Sequence, residues 1–469
     1  MLRIKSFQIH RHALLGGTNF ELTNPTEDKV ENYYSVIIGP NGTGKSYMLN
    51  NLIEAFNEIA LFKNNEQYKL KRKFTLNYSL DGHDYFFSTE SRVISIEKNG
   101  RPTLISEIQL PSVWLASSVT INDKYPILNY IRKKQIPQYK YLGIRSASNN
   151  AFISRITINT VLYFLTALRK DRVSKLISIY DALDLKPQVQ IIFTGGPMLK
   201  LEKKEKLYRL YKSVTKLTEP HYAFLKKNKS KISYRADNYK KHLNSESSLL
   251  SVFSFMTENQ ETFEKASKSS MQLKYVVNLN TDSGIDKILK DWTVLSTMLD
   301  LEIIKISKFL LTKNTPFKYE EASSGESHLL SSLHGIVANL EDNSLIIVDE
   351  PEVSLHPNWQ IDYIEILKTI LKGYRGINTI ISSHSHFIVS SLKNEESRIT
   401  SIRRNKDDGK LHIEELDFET YGWDPESILY NIFEVATLRN KYFELDLRKL
   451  ISLITIQSPD IEGIRDLRN

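Results

Sequence analysis

The sequence predicts an α/β fold, a mixed sheet flanked by helices, and three stretches carry that prediction. Tyr34 to Ser46 reads Y-S-V-I-I-G-P-N-G-T-G-K-S, an apolar strand running into a glycine-rich turn. Ser344 to Glu350, S-L-I-I-V-D-E, is a wholly apolar strand ending in two carboxylates, and Thr379 to Ile381 is another, ending at Ser382-Ser383-His384. Apolar runs this short and this continuous suit buried strands.

Taken in order, Leu2 to Ile9 alternates as a half-buried strand does, and Phe20 to Leu22 continues the pairing in a sheet expected to lead into the strand at Val36–Ile38. Gly39 to Ser46 fits G-x-x-x-x-G-K-[ST], and Leu49, Leu52, Ile53, Phe56 and Ile59 recur behind it at helical spacing. Gly42 and Gly44, with Gly39, Asn41 and Thr43 completing the turn, let successive N–H groups face a phosphate at a helix N-terminus. Lys45 would reach the β and γ phosphates of ATP, and the Ser46 hydroxyl would ligate Mg2+.

Beyond that helix, Phe74 to Leu80, Tyr85 to Ser88 and Val93 to Ile96 alternate between turns at Asp81-Gly82 and Asn99-Gly100, a small antiparallel sheet. Ser112 to Ala116 is a short strand, Thr157 to Leu183 reads as helical, Val189 to Phe193 as a strand and Gly195-Gly196-Pro197 as a break. Lys200 to Lys241 is rich in Lys and Arg, with Glu202, Glu205, Glu219 and Asp237 as its only acids. Such a run serves either as the solvated face of a helical hairpin or as a surface for nucleic-acid phosphates.

A helical pattern resumes over Ile285 to Leu311. It leads to Ser323-Ser324-Gly325-Glu326 and a helix carrying Leu329, Leu330, Leu333, Ile336 and Val337. Asp424-Pro425 is a good helix start, and Ile428, Leu429, Ile432, Phe433, Ala436 and Leu438 give the next segment an apolar face for the core or for a partner chain. The division expected is residues 1–130 and 316–415 as the two halves of one head, 131–315 as an inserted, mainly helical, basic lobe, and 416–469 as a C-terminal helical segment.

Composition narrows the chemistry. Cysteine is absent, which removes disulfides, thiolate catalysis and Cys-ligated metal sites. A net charge of +8 is compatible with DNA or RNA as a partner. No apolar run approaches the roughly 18 residues of a membrane span, and Met1 to Phe20 lacks a signal-peptide core, so a cytoplasmic protein is expected, with no membrane partner.

An apolar strand ending in Asp349-Glu350 is the partner a phosphate loop needs. Asp349 would hold the magnesium ion, and Glu350 would orient and deprotonate the attacking water. His384 ends the next strand within reach of a γ-phosphate.

In this order the motifs resemble the soluble branch of the ABC-type ATPases, with the structural-maintenance, RecF and OLD-like proteins. The residues that carry the resemblance are Gly39–Ser46, Ser323–Glu326, Leu345–Glu352 followed by Val353-Ser354-Leu355-His356-Pro357, and Ser383–Ser385. The resemblance implies an ATPase head that dimerises head to head around two ATP molecules. Ser324, Gly325 and Glu326 would then contact the γ-phosphate held by the other subunit, Ser354–His356 would cross the interface, and His384 would be the switch histidine. A glutamine loop is expected after Ser112–Ala116. Asn122, Asp123, Gln135 and Gln138 all stay open for it.

Weaker strings, Val113 to Pro126, Tyr141-Leu142-Gly143-Ile144-Arg145-Ser146 and Tyr421-Gly422-Trp423 to Asn440, look like the PtuA-like ATPase subunits of Septu and retron-associated anti-phage systems. That resemblance implies a regulatory ATPase controlling a separate effector, a nuclease or toxin. The alternative is a RecF-type DNA-binding ATPase of repair or recombination, and a transporter's ATP-driving subunit fits least.

Overall fold

A computed structural model describes residues 1–11, 15–24, 30–91, 94–127, 135–145, 153–195, 246–259, 262, 272–301, 303–404 and 411–416, with 445, 449 and 451 beyond them. In chain order, β1 (Arg3–Ile9), β2 (Asn19–Glu21) and β3 (Tyr33–Ile38) precede α1 (Lys45–Asn64). Then come β4 (Phe74–Leu80), β5 (His83–Ser88), β6 (Ser95–Lys98), β7 (Arg101–Pro102), β8 (Trp114–Ser118) and β9 (Tyr139–Tyr141). The middle of the chain supplies α2 (Ile153–Arg169), α3 (Val173–Ala182), β10 (Lys186–Gly195), α4 (Glu246–Glu258), β11 (Gln272–Asn278), α5 (Asp282–Asp300), β12 (Ile304–Thr312) and β13 (Pro316–Lys318). Last are α6 (Ser324–Asn339), β14 (Leu345–Asp349), α7 (Pro357–Leu371), β15 (Asn378–Ser383), α8 (His386–Val389), β16 (Ser397–Arg404) and β17 (Leu411–Leu416). No described helix is long and apolar enough to cross a membrane.

The central sheet has the order β17-β16-β3-β15-β14-β8-β9, parallel throughout except for β17 at its edge. It buries both faces, as its continuous apolar runs require. Val36, Leu115, Ile346, Val348 and Ile381 point to one face, where α2, α3, α6 and α7 contribute to the core. Ile37, Trp114, Ala116, Ile347 and Ile380 point to the other, toward α1 and a six-stranded sheet of order β2-β1-β4-β5-β6-β7. The fold class is therefore the expected one, α/β with a mixed sheet flanked by helices and an antiparallel sheet. In detail, β1 and β2 join that antiparallel sheet through β4 and do not lead into the β3 sheet.

The middle of the chain differs from a mainly helical reading in one respect: β11-β10-β12-β13 form a four-stranded antiparallel sheet. Ile304–Thr312, taken into the helix expected over 285–311, is a strand, because Ile304, Ile306 and Phe309 are buried while Lys305 is exposed and Ser307 and Lys308 lie on its outer side. Over so short an apolar run the two periods compete, and pairing with β10 decides it. The inner face of this sheet, with Val189, Ile191, Phe193 and Val277, joins the same core as Val36 and Ile38. The basic run 200–241 and the stretch 421–440 lie outside the described residues.

One buried residue makes the fold sensitive to acid. His334 of α6 is fully enclosed, its ring tilted by 40° and 33° to those of Phe164 and Tyr180 at centroid distances of 5.8 and 5.7 Å, and neither ring nitrogen reaches hydrogen-bond geometry with a partner. Burial pushes its pKa down from 6.5 to about 3. The unfolded chain takes up the proton near pH 6.5 and the folded chain only near pH 3. Stability from this residue is thus full above that window and falls by about 1.4 kcal/mol per pH unit within it. His334→Leu should flatten the decline, which thermal melts of both chains at pH 7.5 and pH 5 would reveal as a Tm gap that widens in acid.

Candidate nucleotide site

The glycine-rich turn, Asp349-Glu350 and His384 lie at the carboxyl edge of the parallel sheet, where ligands of open α/β sheets bind. The register makes this explicit. Asp349 ends β14 opposite Ser382 of β15 and Ser118 of β8, while Ser383 lies opposite Ile38, the residue before Gly39.

The turn between β3 and α1 is built for close approach. Gly39 has φ +153°, and a Cβ there would fall 2.1 Å from the Ile402 carbonyl oxygen of β16. Gly44, left-handed at φ +92°, starts α1 with no side-chain cap and no acid in the first turn, so the helix N-terminus keeps its amides and positive end for an anion. Thr43 braces the turn by donating to the Pro40 carbonyl at 2.9 Å, and Asn41 is exposed at its tip, with Gly42 beside it. Lys45 is buried and donates to the carbonyls of Gly39 (2.7 Å) and Pro40 (3.1 Å). Burial lowers its pKa to about 8 against the attraction of Glu350, Asp349 and Glu352.

Ser46 and Asp349 meet: the Ser46 hydroxyl donates to Asp349 Oδ1 at 3.0 Å, and the Ser382 hydroxyl donates to the same oxygen. Burial raises the Asp349 pKa to about 6, opposed by those two hydroxyls and assisted by the charges of Glu350 and Asp123. A buried carboxylate so placed favours a cation beside it, and donors that are all oxygen suit a hard one.

Glu350 takes a left-handed conformation, φ +52°, which costs about 1–2 kcal/mol for a residue with a Cβ. Its N–H donates to the Ser382 carbonyl at 3.0 Å and helps hold the turn. Its carboxylate is 3.0 Å from His384 Nε2, and Lys45 Nζ is 3.5 Å from His384 Nδ1. That arrangement assigns the ring proton to Nε2, donating to Glu350, with the Nδ1 lone pair toward the ammonium. The His384 hydrogen bond is the largest influence on Glu350 and, with Lys45, holds its carboxyl below the usual range, so it stands ionised as a proton acceptor. The second acid of D-E-P-E, Glu352, accepts the His384 backbone N–H and fixes the ring's position.

The Ser323–Glu326 motif stands apart from this cluster. Ser323 caps α6 in a reciprocal capping box with Glu326, whose carboxylate also pairs with Lys313 at 2.7 Å. Glu326, expected from the resemblance to touch a γ-phosphate, thus has its carboxylate engaged within its own chain. A Cβ on Gly325 would lie 2.3 Å from the Ser354 carbonyl oxygen, tying the motif to the turn at Ser354, itself left-handed at φ +68°. Ser324 is left exposed.

Four residues are open for the glutamine-loop position after β8, and the structure places each of them. Gln138 accepts from Trp114 N–H at the start of β8, and the Gln135 carbonyl faces Asn64 at the far end of α1, so both lie away from the carboxyl edge. Asn122 is exposed, whereas Asp123 is buried close enough to Asp349 to raise its proton affinity. The side-chain partners of Asp123, Tyr141 and Arg145, are tertiary ones that no local spacing reveals.

Residues 18–389 match the model of the AAA ATPase domain family. The Septu protein PtuA of Bacillus thuringiensis is 25% identical over 145 residues, 28% of this chain and 36% of that protein. Protein ea59 of Escherichia phage lambda is 26% identical over 123 residues, 26% of this chain and 22% of that protein. The chain therefore spans about a third or less of the curated relatives it matches. Among solved structures, the SMC head domain from Thermotoga maritima overlays with 9% identity and a TM-score of 0.35, covering 89% of this chain and 100% of that one.

Proposed function

This chain belongs to the AAA ATPase domain family, and we propose that it binds and hydrolyses ATP between two head-to-head copies of itself, so as to control a separate effector chain in anti-phage defence. One observation carries the nucleotide part of this reading. The carboxyl edge of a single parallel sheet brings Lys45, Ser46, Asp349, Glu350 and His384 into one hydrogen-bonded cluster at an uncapped helix N-terminus.

In this reading Gly39, Asn41, Gly42, Thr43 and Gly44 cradle the phosphates, Lys45 turns from the Gly39 and Pro40 carbonyls to the β and γ phosphates, and Glu350 takes the proton of the attacking water. His384 holds Glu350 until the γ-phosphate competes for it. Ser46 and Asp349 would hold magnesium, which neutralises charge on the β and γ oxygens when bound. Ser324 and Gly325 belong to the second copy's nucleotide, with Glu326 and Ser323 securing the cap beneath them. The partial likeness to PtuA supports the regulatory role and a separate nuclease or toxin as effector.

Lys45→Ala tests the cradle. Losing hydrogen bonds from a charged donor removes about 1.5–3 kcal/mol, roughly a ten- to hundred-fold loss of affinity for a fluorescent ATP analogue. Equal titration curves for the two chains would take Lys45 out of the nucleotide site.

A further inference from the structure

Two strings singled out in the sequence, Asp123–Pro126 and Tyr141–Arg145, have no task in the scheme above, and the fold ties them into one knot beside Asp349. The Asp123 side chain is wholly buried. Its Oδ2 accepts from the Tyr141 hydroxyl at 2.6 Å, and its Oδ1 accepts from the Arg145 guanidinium and from the Tyr125 N–H, both at 3.1 Å. Arg145 also donates to the Tyr125 carbonyl, and its backbone N–H donates to the Tyr141 hydroxyl at 3.2 Å. Gly143 is confined by the same knot, since a Cβ there would sit 2.3 Å from the Tyr141 hydroxyl.

The knot is fastened to the carboxyl end of β8. Leu142 N–H donates to Ala116 at 2.8 Å and Ile144 N–H to Ser118 at 3.3 Å, and Ser118 is the register partner of Asp349. Four of these bonds end on Asp123 or Tyr125, so the knot fixes that turn, and the Tyr125 side chain lies beside Asp349. It is fully enclosed, its hydroxyl has no partner that meets strict hydrogen-bond geometry, and the Asp349 carboxylate is near enough to help hold its proton on. The two hydroxyls that do bond Asp349, from Ser46 and Ser382, both take Oδ1.

A buried ion pair such as Arg145–Asp123 contributes little net stability compared with apolar packing, so its value is in geometry. An enclosed hydroxyl without an acceptor is unfavourable unless some state of the site uses it. We propose that Tyr125 is a positioning residue for Asp349, its hydroxyl aligning the carboxylate that receives the nucleotide's divalent cation, with the Asp123–Tyr141–Arg145 knot setting Tyr125 in place. The inference rests on the nucleotide-binding reading and adds a residue to it.

Tyr125→Phe removes one oxygen and keeps the ring. The probe is Mn2+, titrated by electron paramagnetic resonance against the protein with a non-hydrolysable ATP analogue. The half-saturating Mn2+ concentration should rise about 10- to 100-fold, the usual loss when a partner of a metal ligand is removed. Tm should hold or rise, because the hydroxyl has no acceptor to lose, and nucleotide affinity without divalent ion should not change. Tyr141→Phe, which acts only through the knot, should shift the Mn2+ curve less. An unaltered curve in Tyr125→Phe overturns the inference, as does a shift accompanied by an equal fall in Tm for both variants. A parent chain that binds neither analogue nor Mn2+ defeats the nucleotide reading itself, a result distinct from a parent that binds both and a variant that matches it.

Discussion

Glu350→Gln binds ATP as well as the parent chain or better, yet hydrolyses it about 10²- to 10⁴-fold more slowly. Glutamine keeps the length of the side chain, can occupy the same left-handed backbone as readily as glutamate, and still offers His384 Nε2 an oxygen. What it cannot do is accept a proton. Two electrostatic effects compete in the variant. Loss of the carboxylate removes an attraction for Lys45, but it also removes a like charge beside the incoming phosphates. Glu350 is partly exposed, so solvent screens both effects, and binding changes far less than turnover. Phosphate release at saturating ATP, set beside binding of a labelled nucleotide, separates the two quantities. Turnover unchanged from the parent would remove the base role from Glu350.

What the sequence could express was the central sheet and its edge. Strands β3, β14 and β15 are buried on both faces, so their apolar runs stand out without reference to any other part of the chain, and the residues that end them are the ones that meet in space. Less legible was anything decided by pairing across long separations. β1 joins β4 instead of the β3 sheet, a choice made by side chains some seventy positions apart. Ile304–Thr312 carries apolar residues that suit a helix as well as a strand until β10 lies beside it. The Asp123–Tyr141–Arg145 knot has no period at all, being three residues that converge only once β8 and β9 are parallel neighbours. The string S-S-G-E shows the opposite difficulty, one pattern with two physical meanings. S-x-x-E is a helix-capping box as well as a nucleotide signature, and the capping use accounts for Glu326 while leaving Ser324 for the other.

Ser324→Arg follows from that division and should leave ATP binding intact while abolishing hydrolysis that depends on a second copy. The described contacts of Ser323–Ser327 run to Lys313, Tyr319 and Ser354, and among the described residues none runs to the Gly39–Ser46 turn of the same chain. Ser323 and Glu326 complete the cap without Ser324, and Gly325 fills the space against Ser354, so an arginine at 324 has solvent to enter and no cap to break. Stability should therefore stay near that of the parent, within the roughly ±0.5 kcal/mol typical of surface substitutions. Packed between two heads, the same side chain would place a long, charged group where a serine hydroxyl fits, and the composite site could not close. The parent's specific activity should rise with protein concentration, and the variant's should stay near zero across the same range. Sedimentation with ATP in the Glu350→Gln background, where nucleotide is bound but not consumed, should give dimers that the added Ser324→Arg change dissolves. A purified monomer that hydrolyses ATP at full rate would mean that the cluster at Lys45, Asp349 and Glu350 is complete within one chain, and that α6 caps its own head and nothing more.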